Sequence, residues 1–263
     1  MDTLPEILQQ MVPISLEKMS TVKLMNRVDS KFPTNRETLL RMAPLWGEHF
    51  FVQENEGQRI ANYRTLYFDT PDALTYTMHH NRRLRRQKVR QRIYVESNLA
   101  FCEVKNKKNT GRTKKKRIPI PMEAWGDLYQ LPEMAEFIRE KVWVTDQPLS
   151  PRLENAFQRI TLVNKAKTER ITIDFGIRFH NHLSRCDAEV SDLVIIEVKQ
   201  DGSLPSKFKD LLRDAHVQRK GLSKYCLGML LTDEHLKYNR FKQKIRYVNK
   251  LTNQNYQIKS LEQ

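Results

Sequence analysis

The spacing of apolar side chains predicts a chain built mostly from β-strands, with helices between and after them. Aromatic and β-branched residues alternate with polar ones in many short stretches, the pattern of a half-buried strand. Eight stretches are predicted as strands, at about 50–52, 63–68, 88–95, 100–105, 112–120, 157–163, 169–178 and 192–200. Residues 24–32, after a helical lead-in, are interpreted as a short strand or loop.

Helices are predicted between and after these strands. Thr34 and Glu37 match a capping box, which predicts a helix from about residue 35 to residue 46. The turn Asp69–Asp72 leads into a short helix ending near His80. Further helical segments are predicted over 122–147, 205–218 and 223–232. Strands with helices at their ends, without β–α alternation, favour an α+β fold with an antiparallel barrel or sandwich.

The chain is predicted to form one domain over residues 1–236, with its core at about 20–232, followed by a basic C-terminal tail over 237–263. Its 263 residues include 39% hydrophobic residues, enough for a substantial core. In the tail, Lys237–Lys250 is interpreted as a solvated basic helix. The alternative is that this segment guides an emerging polyanionic chain.

Charge is the dominant feature of the composition. Lysine and arginine number 46 against 31 aspartate and glutamate residues, giving a formal net charge of +15. Such a field attracts polyanions and accelerates their encounter with the protein. Nucleic acid, an anionic membrane surface and phosphate compounds are therefore candidate partners, and a solvated basic surface without a specific ligand is the alternative.

The cysteines and the N-terminus indicate a cytoplasmic protein. Cys102, Cys186 and Cys226 are odd in number and widely spaced, which fits neither a disulfide framework nor a zinc site. The first residues, MDTLPEILQQMVPISLEKM, lack the basic and apolar regions of a secretory signal. No apolar run approaches the roughly 20 residues that cross a bilayer, so no membrane span is predicted.

Charged side chains fall on single faces of the predicted strands. Alternate residues of a strand share a face, and basic or acidic residues recur at that spacing in five or six strands: Lys88, Arg90 and Arg92; Glu103 and Lys105; Lys115 and Arg117; Arg170, with Thr172 and Asp174; and Glu197 and Lys199. If helices cover the apolar faces, the charged faces line a lumen. Crowded cations there require an anion, and phosphate suits both arginine and lysine.

Acidic residues among these bases are candidate metal ligands. Glu197 is the first candidate, and Glu103 and Asp29 are weaker ones, since carboxylates with water and phosphate oxygens are the ligands that Mg²⁺ and Mn²⁺ prefer. For each of them, an ion pair with a neighbouring base is the alternative.

Short motifs carry a family resemblance. In order, they are Arg27–Phe32 (RVDSKF), Tyr67–Pro71 (YFDTP), Lys88–Arg92 (KVRQR), Phe101–Lys105 (FCEVK), Gly111–Thr113 (GRT), Ile196–Lys199 (IEVK) and Ser223–Tyr225 (SKY). The ordered set resembles the catalytic domain of the vacuolar transporter chaperone (VTC) family, which occurs in bacteria as stand-alone polyphosphate polymerase domains. That family belongs to the CYTH-like triphosphate tunnel metalloenzyme superfamily.

The resemblance implies a fold, an activity and a set of site residues. The fold is an eight-stranded antiparallel β-barrel forming a triphosphate tunnel, with helices packed outside and at its ends. The activity is transfer of the ATP γ-phosphate onto a growing polyphosphate chain, with Mn²⁺ or Mg²⁺ bound by Glu197. By motif, the catalytic phosphate-binding residues are Lys31, Arg90, Arg92, Lys105, Arg159, Arg170 and Lys224. The other substrate-binding residues are Arg86, Lys88, Lys115, Arg117, Phe157, Lys199, Lys220 and Ser223.

Two positions depart from the family pattern. Phe157 stands where the best-known member of the family has a tyrosine in a Tyr-x-Arg pattern, which removes a hydroxyl on the nucleotide side. Gly221 stands where a basic residue precedes the Ser-Lys-Tyr motif, and Lys220 is the predicted replacement. Arg86 and Lys88 match the bacterial form of the motif.

Three activities remain open at this level. The first is the phosphotransferase, with ATP and inorganic polyphosphate as partners and no specific nucleic acid. The second is a tunnel-fold triphosphatase or polyphosphatase, in which Glu103 orients the attacking water. The third is a non-catalytic binder of RNA or polyphosphate, which the arrangement of aromatic residues disfavours. Primer, chain length, preferred metal and oligomeric state stay open.

Overall fold

The computed structural model describes residues 3–20, 27–110, 113–202 and 204–257, which build one large sheet with helices against it. The strands are β1 (Pro13–Ser15), β2 (Arg27–Asn35), β3 (Phe50–Glu54), β4 (Ala61–Asp69), β5 (Arg86–Tyr94), β6 (Leu99–Lys107), β7 (Thr113–Ile120), β8 (Ser150–Asn164), β9 (Glu169–Asn181), β10 (Asp187–Val190) and β11 (Leu193–Asp201). The α-helices are α1 (Leu4–Gln10), α2 (Leu16–Ser20), α3 (Arg36–Met42), α4 (Leu74–His80), α5 (Pro132–Lys141), α6 (Lys207–Asp214), α7 (Lys224–Thr232) and α8 (Lys242–Thr252). Short 3₁₀ helices lie at Ala43–Leu45, Met122–Ala124 and Asn239–Phe241.

The main path of the sheet runs β2-β11-β9-β8-β4-β5-β6-β7, with each strand antiparallel to the next. Strand β10 pairs with β9, β3 pairs with β8, and β1 pairs in parallel with β3. The α+β class and the antiparallel sheet are confirmed. The closed eight-stranded barrel is wrong, because the described part of the chain forms an eleven-stranded sheet whose ends, β2 and β7, do not pair.

The composition of β7 gives the physical reason for the open edge. Its residues Lys114, Lys115 and Lys116 are consecutive and exposed, and charged side chains of this kind discourage further strand pairing. Pro119 also lacks the N–H that an internal strand would donate. Strand β7 is therefore suited to lie at the edge of the sheet.

Most predicted elements form close to their expected positions, and the differences are local. The helix predicted over 35–46 is α3 followed by the first 3₁₀ turn. Its N-cap is Asn35, whose side chain accepts a hydrogen bond from the Thr38 N–H at 2.9 Å, so the capping box predicted at Thr34 is wrong. The stretch 24–32, left undecided between strand and loop, belongs to β2 from residue 27 onward, and β2 continues to Asn35. Residues 24–26 of that stretch lie outside the described residues.

Helices cover the apolar outer face of the sheet in two places. Over one part of this face, α3 contacts β11, and residues of α1 and α6 share one core with Val194, Ile196 and Val198, which are fully buried. Over another part of the same face, α5 contacts β6 and β7 and shares one core with the fully buried Val89 and Val104. Alternation then sends the charged residues of the same strands to the opposite, inner face.

A β-bulge divides the inner face of β9 into a polar half and an apolar half. Between the pairs Ala156–Arg178 and Gln158–Phe175, β9 holds two residues where β8 holds one. The extra residue is accommodated at Gly176, whose φ of +59° favours glycine. The bulge therefore places both Asp174 and the buried Phe179 on the inner side.

The apolar half of that inner face packs against α7, which closes one end of the space. The close approach depends on Gly228, where a Cβ atom would lie 2.6 Å from Leu153 Cδ2 and would also overlap the Phe179 ring. Strand β4 contributes Tyr67, whose ring contacts that of Tyr225 with centroids 4.9 Å apart.

Gly228→Ala is expected to destabilise the protein by about 1–3 kcal/mol, the usual range for overpacking a core. The reason is the overlap of the added methyl group with Leu153 and Phe179. Urea unfolding measures the loss, with Gly221→Ala as the control, since a Cβ there meets nothing within 4 Å and, as at Gly228, the backbone is not in the left-handed region. Equal losses for both variants would refute the packing argument.

Helix α8 follows the α7 helix and packs onto the same core through Ile245 and Val248. The predicted boundary between domain and tail at residue 237 stays a prediction. Within the described ranges, no helix has the length and apolar character needed to cross a lipid bilayer.

Candidate functional site

The inner faces of the eight strands in the main path line one cavity of about 940 Å³. Its charged lining residues include Asp29, Lys31, Lys88, Arg90, Arg92, Lys105, Lys115, Arg117, Arg159, Arg170, Asp174, Glu197, Lys199 and Lys224. Each strand supplies them at alternate positions, and α7 supplies Lys224 from one end. The volume lies within the range of small-molecule sites in proteins, and the lining is strongly cationic.

Glu103 is buried between two bases on neighbouring strands. Its side chain is 0% exposed, with one oxygen 2.6 Å from Arg90 Nη2 and the other 2.7 Å from Lys115 Nζ. Burial opposes its ionisation, but the charges of Arg90 and Arg92 outweigh burial and lower the pKa of Glu103 to about 2. Glu103 therefore holds Arg90 in place as an ion pair.

Asp174 likewise forms ion pairs with two basic residues, Arg159 and Lys224. It accepts two hydrogen bonds from Arg159, at 2.5 and 2.8 Å, and also pairs with Lys224 from α7. Despite its burial, these two cations keep the pKa of Asp174 well below its usual range. Asp174 thus joins β8, β9 and α7 at the centre of the cavity.

Glu197 is more exposed than Glu103 and Asp174, and its ion pair is longer than theirs. Its closest salt-bridge partner is Lys199, with 3.4 Å between Nζ and Oε2, and its side chain is 19% exposed. Burial opposes ionisation, but Lys199, Lys31 and Lys105 lower the pKa of Glu197 well below its usual range. An ionised carboxylate therefore faces the cavity, and within the described part of the chain no guanidinium forms an ion pair with it.

The available donors fit a divalent metal in one way. The described residues contain no group of three or more acidic, histidine or cysteine side chains that could hold an ion by themselves. Mg²⁺-type ions are, however, commonly bound by one or two carboxylates together with substrate phosphates. Glu197 fits that arrangement, whereas Glu103 does not, since both its oxygens are bound to bases. Asp29, on β2, is exposed and is paired in register with Lys199 of β11. Its role as a metal ligand stays a prediction.

Aromatic rings make cation–π contacts with basic residues of the cavity. Phe157 stacks on Tyr63 with centroids 5.3 Å apart and an interplanar angle of 11°. The ring of Phe157 lies 4.1 Å from Lys224 Nζ and 5.2 Å from the Arg159 guanidinium carbon. These cation–π contacts explain how a phenylalanine suits this position, where the family pattern has a tyrosine.

The start of α7 forms one end of the cavity. Ser223 is the N-cap, accepting a hydrogen bond from the Cys226 N–H and another, at 2.8 Å, from Lys88 Nζ. Lys31 Nζ donates to the Leu222 carbonyl oxygen at 3.2 Å. The Ser-Lys-Tyr motif therefore brings a helix N-terminus and a lysine to the bases of β2 and β5.

The structure brings most of the predicted site residues together and leaves four outside the cavity lining. Glu103 and Phe157 lie directly behind it. Arg86 lies two residues before Lys88, and Lys220 is exposed with its Nζ 3.7 Å from the Tyr247 ring. The roles assigned to these residues stay predictions. In the Gly111–Thr113 motif, residues 111 and 112 lie outside the described residues.

Several lining residues have no role in the sequence-based hypothesis. They include Tyr63, Tyr67, Thr161, Thr172 and Asp174. The alternation of Arg170, Thr172 and Asp174 on one face was the signal that indicated the direction of Thr172 and Asp174. Tyr67 is notable because Arg90 and Lys88 outweigh the effect of burial and lower its pKa to about 8.

A polyanion bound among the lysines of this cavity is expected to be held more weakly as the pH rises above about 8. Burial, with repulsion from Arg90 or Arg159, lowers the pKa of Lys105 and Lys224 to about 8 in the ligand-free protein. A bound anion raises both pKa values, so binding takes up protons above pH 8, and affinity drops by up to about tenfold per pH unit for each lysine.

The measurement is a titration with long-chain polyphosphate, whose internal phosphates keep their charge over this range. Lys105→Arg, which stays charged, is expected to give a shallower decline. Constant affinity up to about pH 10 would contradict this assignment.

Comparison with known proteins agrees with the family resemblance. Among curated proteins no sequence matches significantly. Similar solved structures include a Vibrio parahaemolyticus protein provisionally described as an adenylate cyclase (12% identity, TM-score 0.45, covering 78% of this chain and 99% of that one). Two others are PH1819 from Pyrococcus horikoshii OT3 (13%, 0.43, 78% and 98%) and HpAC1 from Hippeastrum, a provisional adenylyl cyclase with a dominant triphosphatase activity (12%, 0.45, 76% and 94%). These values are too low to transfer a function. The family model of the VTC domain, in contrast, matches residues 26–233, and the chain therefore belongs to the VTC domain family.

Proposed function

We propose that this protein extends inorganic polyphosphate by transferring the γ-phosphoryl group of ATP to the terminal phosphate of the chain. The observation that carries the proposal is the convergence of bases from separate strands on one cavity around the ionised Glu197. Membership of the VTC domain family supports a phosphoryl-handling enzyme. A cavity with so many cations favours a ligand that carries a charge on every phosphorus atom.

The bases supply what phosphoryl transfer needs most. In this reaction the protein positions the two phosphates in line and neutralises charge on the transferred group. Arg90 and Arg159 are held rigidly by Glu103 and Asp174, so their N–H groups are already oriented before substrate binds. Lys31 and Lys105 add charge around Glu197. Preorganised donors of this kind stabilise the transition state without reorganising during the reaction.

The transfer step balances without a strong base. A terminal oxygen of the polyphosphate chain forms a bond to the γ-phosphorus, and the bond from that phosphorus to the bridging β–γ oxygen breaks, leaving ADP. The attacking oxygen is already anionic, so no proton has to be removed. A divalent ion bound through Glu197 would neutralise charge on the phosphate oxygens.

A hydrolase with the same cavity is the second candidate. It would need a carboxylate free to orient water, and Glu103 was the residue suggested for that role. Its commitment to Arg90 and Lys115 supports transfer to a phosphate acceptor over transfer to water. Glu197, Asp29 and Glu96 line the cavity, and such a mechanism would have to use one of them.

The test is product analysis with ATP and either Mn²⁺ or Mg²⁺, with and without a short polyphosphate primer. The proposal predicts long chains on a gel and one ADP for each phosphate added. Release of inorganic phosphate without chain growth would identify a hydrolase. No ATP consumption with any divalent metal, together with retained polyphosphate binding, would identify a non-catalytic binder.

A further inference from the structure

A second group of bases lies next to the cavity, beyond Lys88. Arg86 precedes Lys88 by two residues on β5 and therefore lies on the same face of the strand, about 7 Å further out. Lys244, from α8, lines a small pocket together with Ser223, and Ser223 also lines the main cavity. Arg82, in the turn before β5, is exposed and near enough for its charge to act on Lys244. We call Arg82, Arg86 and Lys244 the outer cationic cluster.

The outer cationic cluster has no acidic partner within ion-pair distance among the residues that the structure describes. Burial is the main cause that lowers the pKa of Lys244; Cys226 acts against it, and repulsion from Arg82, Arg86 and Lys88 adds to it. Burial also lowers the pKa of Arg86. This contrasts with the bases inside the cavity, where Arg90 pairs with Glu103, and Arg159 and Lys224 share Asp174. Bases that repel one another in this way favour a bound anion.

The helix that supplies Lys244 lies outside the region shared with the family. The family model matches residues 26–233, and α8 begins at Lys242. Ile245 and Val248 anchor α8 in the core, which fixes the helix face that carries Lys244 beside Ser223. The contribution of α8 is therefore a property of this chain and not of the matched domain.

We propose that the outer cationic cluster is a binding subsite for inorganic polyphosphate, occupied by the part of the chain that extends out of the cavity past Lys88. This inference rests on the proposed function for the identity of the anion. Successive basic residues along β5 suit an anion that carries a charge at every repeat. Inorganic polyphosphate is such an anion, and it has no nucleobases for which the protein would have to provide space. Phe241, the ring beside Lys244, is buried and offers no exposed platform on which a nucleobase would stack.

The test compares the binding of short and long chains without ATP or metal. Lys244→Gln is expected to weaken the binding of long-chain polyphosphate about three- to tenfold, the effect of losing one charge-assisted contact to phosphate. Tripolyphosphate is short enough for the inner cavity alone, so the variant is expected to bind it with an affinity within about twofold of that of the unchanged protein.

Arg86→Gln tests a second member of the cluster. Arg246→Gln is the matched control, because Arg246 is an exposed base on the same helix and points away from Lys244.

The outcomes separate this inference from the proposed function. An effect of Lys244→Gln on long chains alone supports the subsite even if the protein makes no polymer from ATP. Equal weakening of short- and long-chain binding, or no weakening of either, would overturn it. Displacement of the long chain by single-stranded RNA as effective as by polyphosphate itself would also overturn it, because the cluster would then be a general polyanion surface.

Discussion

Glu197→Gln is expected to lower phosphoryl transfer by about a hundred- to a thousandfold, the usual effect of removing one group that acts on transition-state charge. The carboxylate is the part of the cavity best placed to share a metal with substrate phosphates, and glutamine keeps its shape but not its charge. Binding of tripolyphosphate without metal is expected to be unchanged or tighter, because Glu197 faces Lys31 and Lys105 and its negative charge opposes a bound anion.

The measurement pairs turnover of ATP in Mn²⁺ or Mg²⁺ with metal-free tripolyphosphate binding. Glu189→Gln is the matched control, since Glu189 is exposed on β10 away from the cavity lining. Turnover of the Glu197 variant close to that of the control would remove this residue from the reaction. Loss of metal-free binding in parallel with turnover would instead indicate damage to the fold.

Asp174→Asn is expected to destabilise the ligand-free protein by about 3 kcal/mol, the lower part of the range for breaking a buried ion pair. The variant leaves Arg159 and Lys224 buried without their carboxylate, since the side chains of these residues are 14% and 13% exposed. Tripolyphosphate supplies the missing negative charge to both bases. It is therefore expected to stabilise the variant more than it stabilises the unchanged protein.

Urea unfolding with and without tripolyphosphate measures both effects. Asp187→Asn is the control, because Asp187 is 78% exposed and its pairing with His180 lies at the surface. An equal loss of stability with and without the anion would mean that the ligand does not reach Arg159 and Lys224. That result would contradict the placement of the phosphate site at the centre of the cavity.

The inner position of the charged residues was predictable from the sequence because strand alternation is a local property. Arg90 and Arg92 are two residues apart, and so are Glu197 and Lys199, so each pair shares a face whatever the rest of the fold. Burial of Val194, Ile196 and Val198 then determines which face points inward. Which charged side chains share the inner face could therefore be predicted from the order of residues along each strand.

The pairing of these charges was not predictable, because it depends on register between distant strands. Glu103 resembles a metal ligand in sequence, but its alignment with Arg90 on β5 and its contact with Lys115 on β7 make it an ion-pair partner. Asp174 meets Arg159 and Lys224 only after the Gly176 bulge has offset β9 against β8. A single glycine within a strand pattern does not specify such an offset.

Closure of the sheet was the other feature beyond the reach of the sequence. Whether β2 and β7 meet depends on the accumulated twist of the strands between them, and each of those strands looks the same in an open or a closed sheet. The exposed lysines and Pro119 of β7 are consistent with an edge, but they carry that meaning only once the strand order is known.

The central claim is that bases from distant strands hold one phosphate chain inside the cavity. A crystal structure of the protein with tripolyphosphate and Mn²⁺ tests it most directly. The account predicts the anion within the cavity, with phosphate oxygens in hydrogen-bond contact with Arg90 and Arg159 and the metal beside Glu197. Tripolyphosphate bound only to the outer surface, with water alone between those arginines, would contradict it.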